Sequence, residues 1–230
     1  MAKRKKSVRR DRPINGNVLK SVSALTQAQR EVFIEWHQGQ HVAMLGYAGT
    51  GKSFLGCYLG MSEVLSPDNP ISQLVITRTL EPTKNIGFLP GTEDEKMAPY
   101  ELPYTRIFNE LFTYQKAYES FKYAGLVKFM TTSHIRGITL DNAVLLIDEV
   151  QSMSVHEFYS LLTRAGKNTK IIVCGDGLQN DLGRGSCFEK AQDLLESLEE
   201  VSSIYFEQED IVRSKFVKNV IIQAERLGIT

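Results

Sequence analysis

One eight-residue segment constrains this chain more than any other part of its sequence. Residues 46–53 read GYAGTGKS and match the pattern GxxxxGK[ST]. An apolar run at residues 41–45 precedes the segment and an apolar helical pattern follows it, which is the strand–loop–helix context that a phosphate-binding loop requires. Its glycines let backbone N–H groups turn toward phosphate oxygens, and the helix start adds its positive dipole end. The segment therefore predicts a nucleotide site at the end of a strand.

Each residue of this loop has an expected part in binding. Lys52 is predicted to reach the β- and γ-phosphates, while the hydroxyl of Ser53 binds Mg²⁺. The expected ligands are therefore Mg²⁺ and a nucleoside triphosphate, which the resemblance described below identifies as ATP. We assign nucleotide binding to eight consecutive residues: Gly46, Tyr47, Ala48, Gly49, Thr50, Gly51, Lys52 and Ser53.

A second motif supplies carboxylates. Residues 143–147 form an apolar run that ends in Asp148 and Glu149, and the carboxyl ends of parallel strands share one sheet edge with the phosphate-binding loop. We expect Asp148 to hold Mg²⁺ and Glu149 to orient and deprotonate the attacking water. Gln179 follows another apolar run, at residues 170–174, and is expected to contact both that water and the γ-phosphate.

Phosphoryl transfer also favours a cation on the developing charge, usually an arginine. Four arginines lie near motifs: Arg78, Arg136, Arg164 and Arg213. We favour Arg164 and Arg213, because each lies in a helical stretch beside a motif expected at the catalytic edge. The predicted catalytic set is Lys52, Glu149, Gln179, Arg164 and Arg213.

The rest of the sequence predicts an α/β fold with a mainly parallel central sheet. Six short apolar runs lack the polar alternation of half-exposed strands, as in strands buried on both faces. They lie at 41–45, 73–77, 126–130, 143–147, 170–174 and 203–206, with helices expected at 52–65, 101–123, 154–164, 185–198 and 209–227 and a further helix after Thr26. Residues 80–103 contain four prolines and are predicted to form a surface loop.

The charge distribution separates a tail from the domain. Formal net charge is zero, yet residues 1–12 hold seven Lys or Arg and one Asp, so this stretch carries +6 and the remainder −6. We expect a disordered basic tail at residues 1–17 and a single domain at 18–230.

No apolar run approaches the ~20 residues of a membrane span, and no secretory signal is recognisable, so a cytoplasmic location is expected. Three cysteines without metal-ligand spacing, Cys57, Cys174 and Cys187, are expected in or near the core.

The order of motifs is distinctive. LTQAQ at 25–29, the loop at 46–53, ITR at 76–78, GFLPG at 87–91, LLIDEVQ at 145–151 and CGDGLQNDL at 174–182 follow one another, together with IRGITL at 135–140, LLTRAG at 161–166 and DIVRSKFV at 210–217. This order resembles the PhoH-like family of phosphate-starvation ATPases, whose core is similar to the first motor domain of superfamily 1 helicases. The short form is similar to versions carried by bacteriophages.

The resemblance implies further roles and partners. It implies that Gln29 recognises adenine, that Asp148, Glu149 and Gln151 form a DExQ motif, and that Gln179 senses the γ-phosphate. It also implies a RecA-like three-layer sandwich. Because the chain has room for one motor domain, the resemblance implies a homo-oligomeric ring of six subunits with nucleotides between neighbours. Single-stranded RNA or DNA would bind the ring, and the basic tails would add salt-dependent affinity.

Three other functions compete with this interpretation. A P-loop kinase would need an acceptor pocket, whereas the DExQ and GDxxQ pair favours water as the acceptor. A GTPase would need an NKxD motif, and the sequence has none. An ATP-gated scaffold with little turnover remains the alternative, although all the expected hydrolytic groups are present.

Overall fold

The computed structural model describes residues 18–79, 93–135, 137–177 and 188–229. In these ranges six strands form one sheet in the order β3-β2-β4-β5-β1-β6, and every neighbouring pair is parallel. The strands are β1 (His41–Gly46), β2 (Gln73–Arg78), β3 (Val127–Thr131), β4 (Ala143–Ile147), β5 (Lys170–Gly175) and β6 (Val201–Phe206). All six apolar runs therefore form strands, as predicted.

The burial of the central strands explains their sequence. All five residues of β4 are buried, and the four middle residues of both β1 and β2 are buried. Strands covered on both faces have no position for a solvated side chain, so their sequence shows no alternation.

Eight α-helices connect or flank these strands within the described ranges. They are α1 (Gln27–His37), α2 (Lys52–Leu65), α3 (Glu93–Leu111), α4 (Ala117–Tyr123), α5 (Thr132–Ile135), α6 (Val155–Leu162), α7 (Phe188–Glu196) and α8 (Lys215–Arg226). The hydroxyl of Thr26 caps α1 by accepting a hydrogen bond from the backbone N–H of Gln29, as its sequence predicted. Ser154 and Glu157 form a reciprocal capping box at the start of α6.

Two apolar clusters lie on opposite faces of the sheet. Met44 and Leu146 belong to the cluster formed with α1, α2, α3 and α4. Their chain neighbours, Leu45 and Leu145, belong to the cluster formed with α6 and α7. Because successive side chains of a strand point to opposite faces, the sheet is covered twice. The three-layer α/β sandwich is therefore confirmed.

Helix α3 corrects the prediction of a loop at residues 80–103. Residues 80–92 lie outside the described ranges, but residues 93–103 are helical and the helix contains Pro99 and Pro103. Each proline removes one backbone donor, yet both side chains are exposed. The buried residues Tyr104, Phe108 and Leu111 repeat with helical spacing on the opposite side. Burial of this apolar face outweighs the lost hydrogen bonds, which the proline-rich composition concealed.

Two other helix predictions were wrong at their limits. The helix expected at 101–123 is divided into α3 and α4, and Lys116 between them has a left-handed backbone with φ 77°. The helix expected at 209–227 begins at Lys215. Residues before it run along the phosphate-binding loop, where the backbone N–H of Val212 donates to the carbonyl of Gly49 at 3.1 Å. Ser214 then caps the helix.

Several predictions fall on segments outside the described ranges, among them the basic tail at 1–17, Cys187 and the GFLPG motif at 87–91. Cys57 and Cys174 are buried, as expected. Among the described residues, no helix combines the length and apolar character needed to span a bilayer.

Candidate nucleotide site

A cavity of about 830 Å³ opens at the carboxyl edge of the sheet. We call residues 46–53 the P-loop. The cavity is bordered by residues 48–53 of this loop, by the ends of β2, β4 and β5, by α3 and by the segment before α1. β1 pairs with β5 on one side and β6 on the other, so the connection from β1 to β2 crosses β5 and β4. In parallel α/β sheets the usual ligand site is a crevice at the carboxyl ends of the strands, at the point where the order of the strands reverses.

The P-loop requires glycine at two close approaches. Gly46 has φ 116°, and a Cβ there would collide with the carbonyl of Phe206 on β6. Gly49 has φ 75°, and a Cβ there would lie 2.8 Å from Cγ of Arg213. Left-handed backbone is unfavourable for other residues, so the loop's shape depends on both glycines.

Lys52 lies within the curve of this loop. Its Nζ donates to the carbonyls of Gly46 at 2.7 Å and Tyr47 at 2.6 Å. Burial lowers the pKa of Lys52, and the nearby Asp176 carboxylate opposes that decrease. The predicted phosphate-binding ammonium therefore stands at the start of α2, where anions are favoured.

Ser53 and Asp148 meet although they are far apart in sequence. The Ser53 hydroxyl donates to Oδ1 of Asp148 at 3.0 Å, and Asp148 is only 4% exposed. Hydroxyl and carboxylate oxygens suit Mg²⁺, which commonly binds through one or two protein oxygens, waters and nucleotide phosphates. No cluster of three or more His, Cys, Asp or Glu side chains with metal-binding geometry occurs in the described ranges. This donor set therefore fits a metal bound together with a nucleotide.

Glu149 is held beside this pair in an unusual conformation. Its backbone is left-handed, with φ 58° and ψ 48°. Burial raises the pKa of Glu149, as does the charge of Asp148, whereas Arg78 opposes the increase. The Gln151 side chain donates to Oε2 of Glu149 at 2.5 Å and accepts from the Asp176 N–H at 3.0 Å. Gln151 thus fixes the carboxylate relative to β5.

Gln29 connects α1 to the P-loop. Its Nε2 donates to the carbonyl of Thr50 at 2.9 Å, and its Oε1 accepts from the Leu25 N–H at 2.8 Å. The side chain also borders the cavity, as adenine recognition requires. That recognition stays a prediction. The observed contacts give Gln29 a structural role that its sequence motif did not reveal.

The two favoured arginines lie in different places. Arg213 borders the cavity and packs against Gly49. Arg164 follows the end of α6, and its carbonyl accepts from the N–H of Leu140, which precedes β4. This is the amino edge of the sheet, so the expectation that Arg164 lies at the catalytic edge of its own chain is wrong. α6 runs from the carboxyl edge of the sheet to its amino edge, and the LLTRAG motif does not indicate in which direction the helix runs.

Two side chains at the site were missed or underrated. Tyr104 on α3 donates its hydroxyl to Oδ2 of Asp148 at 2.8 Å. Arg78 borders the cavity, lies 5.9 Å from the ring centre of Tyr100, and its buried Nε has no hydrogen-bond partner among the described residues. The ITR motif pointed to Arg78, but no sequence signal pointed to Tyr104. Gln179 and Arg136 lie outside the described ranges.

The chain is similar to known proteins over most of its length. A family model described as PhoH-like protein matches residues 21–225. The chain belongs to the PhoH-like protein family. It is 30% identical over 205 residues to the PhoH-like protein of Bacillus subtilis and 32% identical over 208 residues to that of Synechocystis. These matches cover 88% and 89% of this chain but 63% and 62% of those proteins. The chain thus spans less than two thirds of the length of these relatives.

A solved structure shares the fold. The large terminase of a thermophilic bacteriophage, in complex with ADP, superposes with a TM-score of 0.52 at 15% sequence identity. The match covers 85% of this chain and 48% of the terminase. The comparisons thus show the family and a shared fold.

Proposed function

We propose that this chain binds ATP with Mg²⁺ and hydrolyses it. The observation that carries the proposal is the contact between Ser53 and Asp148 at 3.0 Å, with Glu149 next in the chain. It joins the end of β1 and the end of β4 at one point. A loop that merely resembled a P-loop would have no reason to meet a buried carboxylate there.

The binding half of the reaction belongs to the P-loop and its neighbours. The backbone N–H groups of the P-loop and Lys52 would hold the phosphates, and Ser53 and Asp148 would hold the metal. When bound, Mg²⁺ neutralises charge on the β- and γ-phosphates. Gln29 and the segment before α1 border the far part of the cavity, where the adenine would bind.

Glu149 is the proposed general base. A base is most effective when its pKa lies near the working pH, and burial moves the pKa of Glu149 upward. The carboxylate would accept a proton from water as the water attacks the γ-phosphate, while the bond to the oxygen bridging to the β-phosphate breaks and ADP leaves. Gln151 orients it through a hydrogen bond of 2.5 Å, and Gln179 is proposed to sense the γ-phosphate.

The cation for the transition state is proposed to come from one of the four arginines named from the sequence, of which three lie in the described ranges. Arg78 and Arg213 both border the cavity of their own chain. Arg164 lies at the opposite edge of the sheet, so it can serve only the site of a neighbouring subunit. Arg164→Ala or Arg213→Ala subunits mixed with wild-type subunits test this point. A dominant loss of turnover with intact ATP binding identifies an arginine that acts across subunits, and two silent variants reject both.

We propose that the active form is a ring of identical subunits, and the family resemblance implies that the ring is a hexamer. We also propose that this ring binds single-stranded RNA or DNA. The support is the surface of α8 beside the P-loop. None of the residues of α8 is buried. Three large apolar side chains on or just after it are therefore exposed to solvent: Phe216 is 76% exposed, Val220 49% and Leu227 71%. These three lie on one side of the helix by their spacing. An exposed apolar stripe of this kind marks a protein contact.

The decisive measurement is ATP hydrolysis with and without single-stranded RNA and DNA, at low and moderate salt, with the mass in solution recorded alongside. Stimulation by one polymer in a multimer supports the ring motor and identifies its substrate. Lys52→Ala removes nucleotide binding and serves as the inactive control.

The second candidate is an ATP-gated scaffold. It is favoured by the link between the P-loop and α8, in which Tyr47 donates to Oε2 of Glu225 at 2.6 Å. Through this contact a bound nucleotide can alter a protein-binding surface without turnover. Hydrolysis that ignores both polymers, with ATP-dependent assembly, favours the scaffold.

A further inference from the structure

Helix α3 brings one hydroxyl to the carboxylate of Asp148. Tyr104 is fully buried, and its hydroxyl donates to Oδ2 of Asp148 at 2.8 Å. The two residues are 44 positions apart, so the contact depends on the docking of α3 against the sheet. α3 also borders the cavity.

The other hydrogen bonds that the described residues make to the Asp148 carboxylate are on its second oxygen. Oδ1 accepts from the Ser53 hydroxyl at 3.0 Å and from the Glu149 N–H at 3.1 Å. Tyr104 is the donor that the described residues provide to Oδ2. Rotation of the carboxylate would therefore break bonds at both oxygens. Because both carboxylate oxygens accept hydrogen bonds, the plane of the Asp148 carboxylate is already fixed in the absence of a metal.

Tyr104 is suited to remain a donor. A phenol hydroxyl carries its proton at neutral pH, because its ordinary pKa is about 10. Its ring packs against Phe129 with centroids 5.8 Å apart. The ring therefore anchors the hydroxyl, and loss of the oxygen alone leaves this packing in place.

We propose that Tyr104 is a positioning residue that orients Asp148 for Mg²⁺ bound with the nucleotide. The inference rests on the proposed Mg²⁺–ATP function. In it, Tyr104 contacts the carboxylate that would bind the metal and does not contact the metal itself. Mg²⁺ demands near-ideal octahedral geometry, and side chains that orient metal ligands commonly alter metal affinity by about 10- to 100-fold.

The test compares Tyr104→Phe with Tyr118→Phe. Tyr118 is also buried, and its hydroxyl also donates to a carboxylate, Oε2 of Glu101 at 2.9 Å. Glu101 keeps an ion pair with Lys122 at 2.7 Å and does not border the cavity. Each variant thus loses one buried hydroxyl from the same apolar cluster, but only one lies at the site.

The readout is binding of a non-hydrolysable fluorescent ATP analogue titrated with Mg²⁺, and again in EDTA. Tyr104→Phe is expected to raise the Mg²⁺ concentration for half-maximal binding about 10-fold, with binding in EDTA unchanged. Tyr118→Phe is expected to match wild type in both. In an Asp148→Asn background, loss of the Tyr104 hydroxyl should have no further effect on the Mg²⁺ dependence.

Two outcomes separate this inference from the proposal on which it rests. If Tyr104→Phe shows the same Mg²⁺ dependence as Tyr118→Phe, Tyr104 is structural and the inference is overturned. If wild-type protein binds the analogue with no Mg²⁺ dependence at all, the proposed metal site itself is wrong. Circular dichroism and thermal unfolding of both variants establish that each is folded.

Discussion

Two helices meet the P-loop, and they are held in opposite ways. α2 begins at Lys52 and buries seven of its residues between the sheet and neighbouring helices. α8 contacts the same loop through Glu225 and Ile221, yet buries none of its residues. Apolar packing holds α2 in place, whereas α8 is held by a few contacts at the protein surface, such as the hydrogen bond of Glu225. One side of the nucleotide site is therefore rigid, whereas the other can change its partners.

The largest expected effect tests the rigid side, where chemistry is proposed. Glu149→Gln should lower ATP turnover by about 10²- to 10⁴-fold and leave ATP binding intact, because the side chain keeps its size and loses its basicity. Single-turnover hydrolysis and equilibrium binding measure the two quantities. A Glu149→Gln variant that turned over normally would remove Glu149 from the reaction.

A matched pair of truncations tests the contrast in packing. Leu59→Ala in α2 removes a side chain that is 1% exposed and should reduce the free energy of unfolding by about 2–5 kcal/mol. Phe216→Ala in α8 should change it by less than about 0.5 kcal/mol, because Phe216 is 76% exposed. Urea unfolding gives both values. The same Phe216→Ala variant should weaken self-association in sedimentation experiments. Equal losses of stability would show that α8 belongs to the core.

The pH dependence of turnover tests the charges on the rigid side. Glu149 must be ionised to accept a proton, and Arg78 opposes the increase in its pKa. Arg78→Met removes that charge, so the pKa should rise further and activity should be lost at a higher pH on the acidic side. A pH profile of kcat measures the shift. Arg30→Met, on the exposed side of α1, provides the control and should leave the profile in place.

The smallest effect concerns the polar link to α8. Tyr47→Phe removes the hydroxyl that donates to Glu225 at 2.6 Å and accepts from Gln208 at 2.9 Å. We expect a loss of about 1 kcal/mol or less in unfolding free energy, because the side chain is only partly buried and water can replace its hydrogen-bond partners. Hydrogen exchange should become faster in α8 and stay unchanged in α2. Unchanged exchange in α8 would mean that other contacts hold it.

The same contrast explains what the sequence could predict. The strands and the P-loop were predictable because their signals are local: apolar runs of four or five residues, and glycines required at fixed positions. Glu149 and Asp148 were placed at the site because strand direction alone brings them there. Tyr104 was not predictable, since its role depends on how α3 docks. Pro99 and Pro103 concealed the first part of that helix, residues 93–100, which was predicted to be loop.

The arginines show the same limit. Arg164 was expected near the site because a motif surrounds it, but α6 carries it to the other edge of the sheet. Arg78 immediately follows an apolar run, and that position brought it to the cavity. Position relative to a strand end was thus a better guide than proximity to a motif in sequence.

The left-handed backbone of Glu149, with φ 58°, bears on how this site is maintained over generations. Such a conformation costs roughly 1–2 kcal/mol for a residue with a side chain, and glycine would relieve it. Folding alone therefore favours the loss of this carboxylate, and only a need for turnover opposes that pressure. Related chains that have given up hydrolysis should accumulate glycine or asparagine at this position while their P-loops persist.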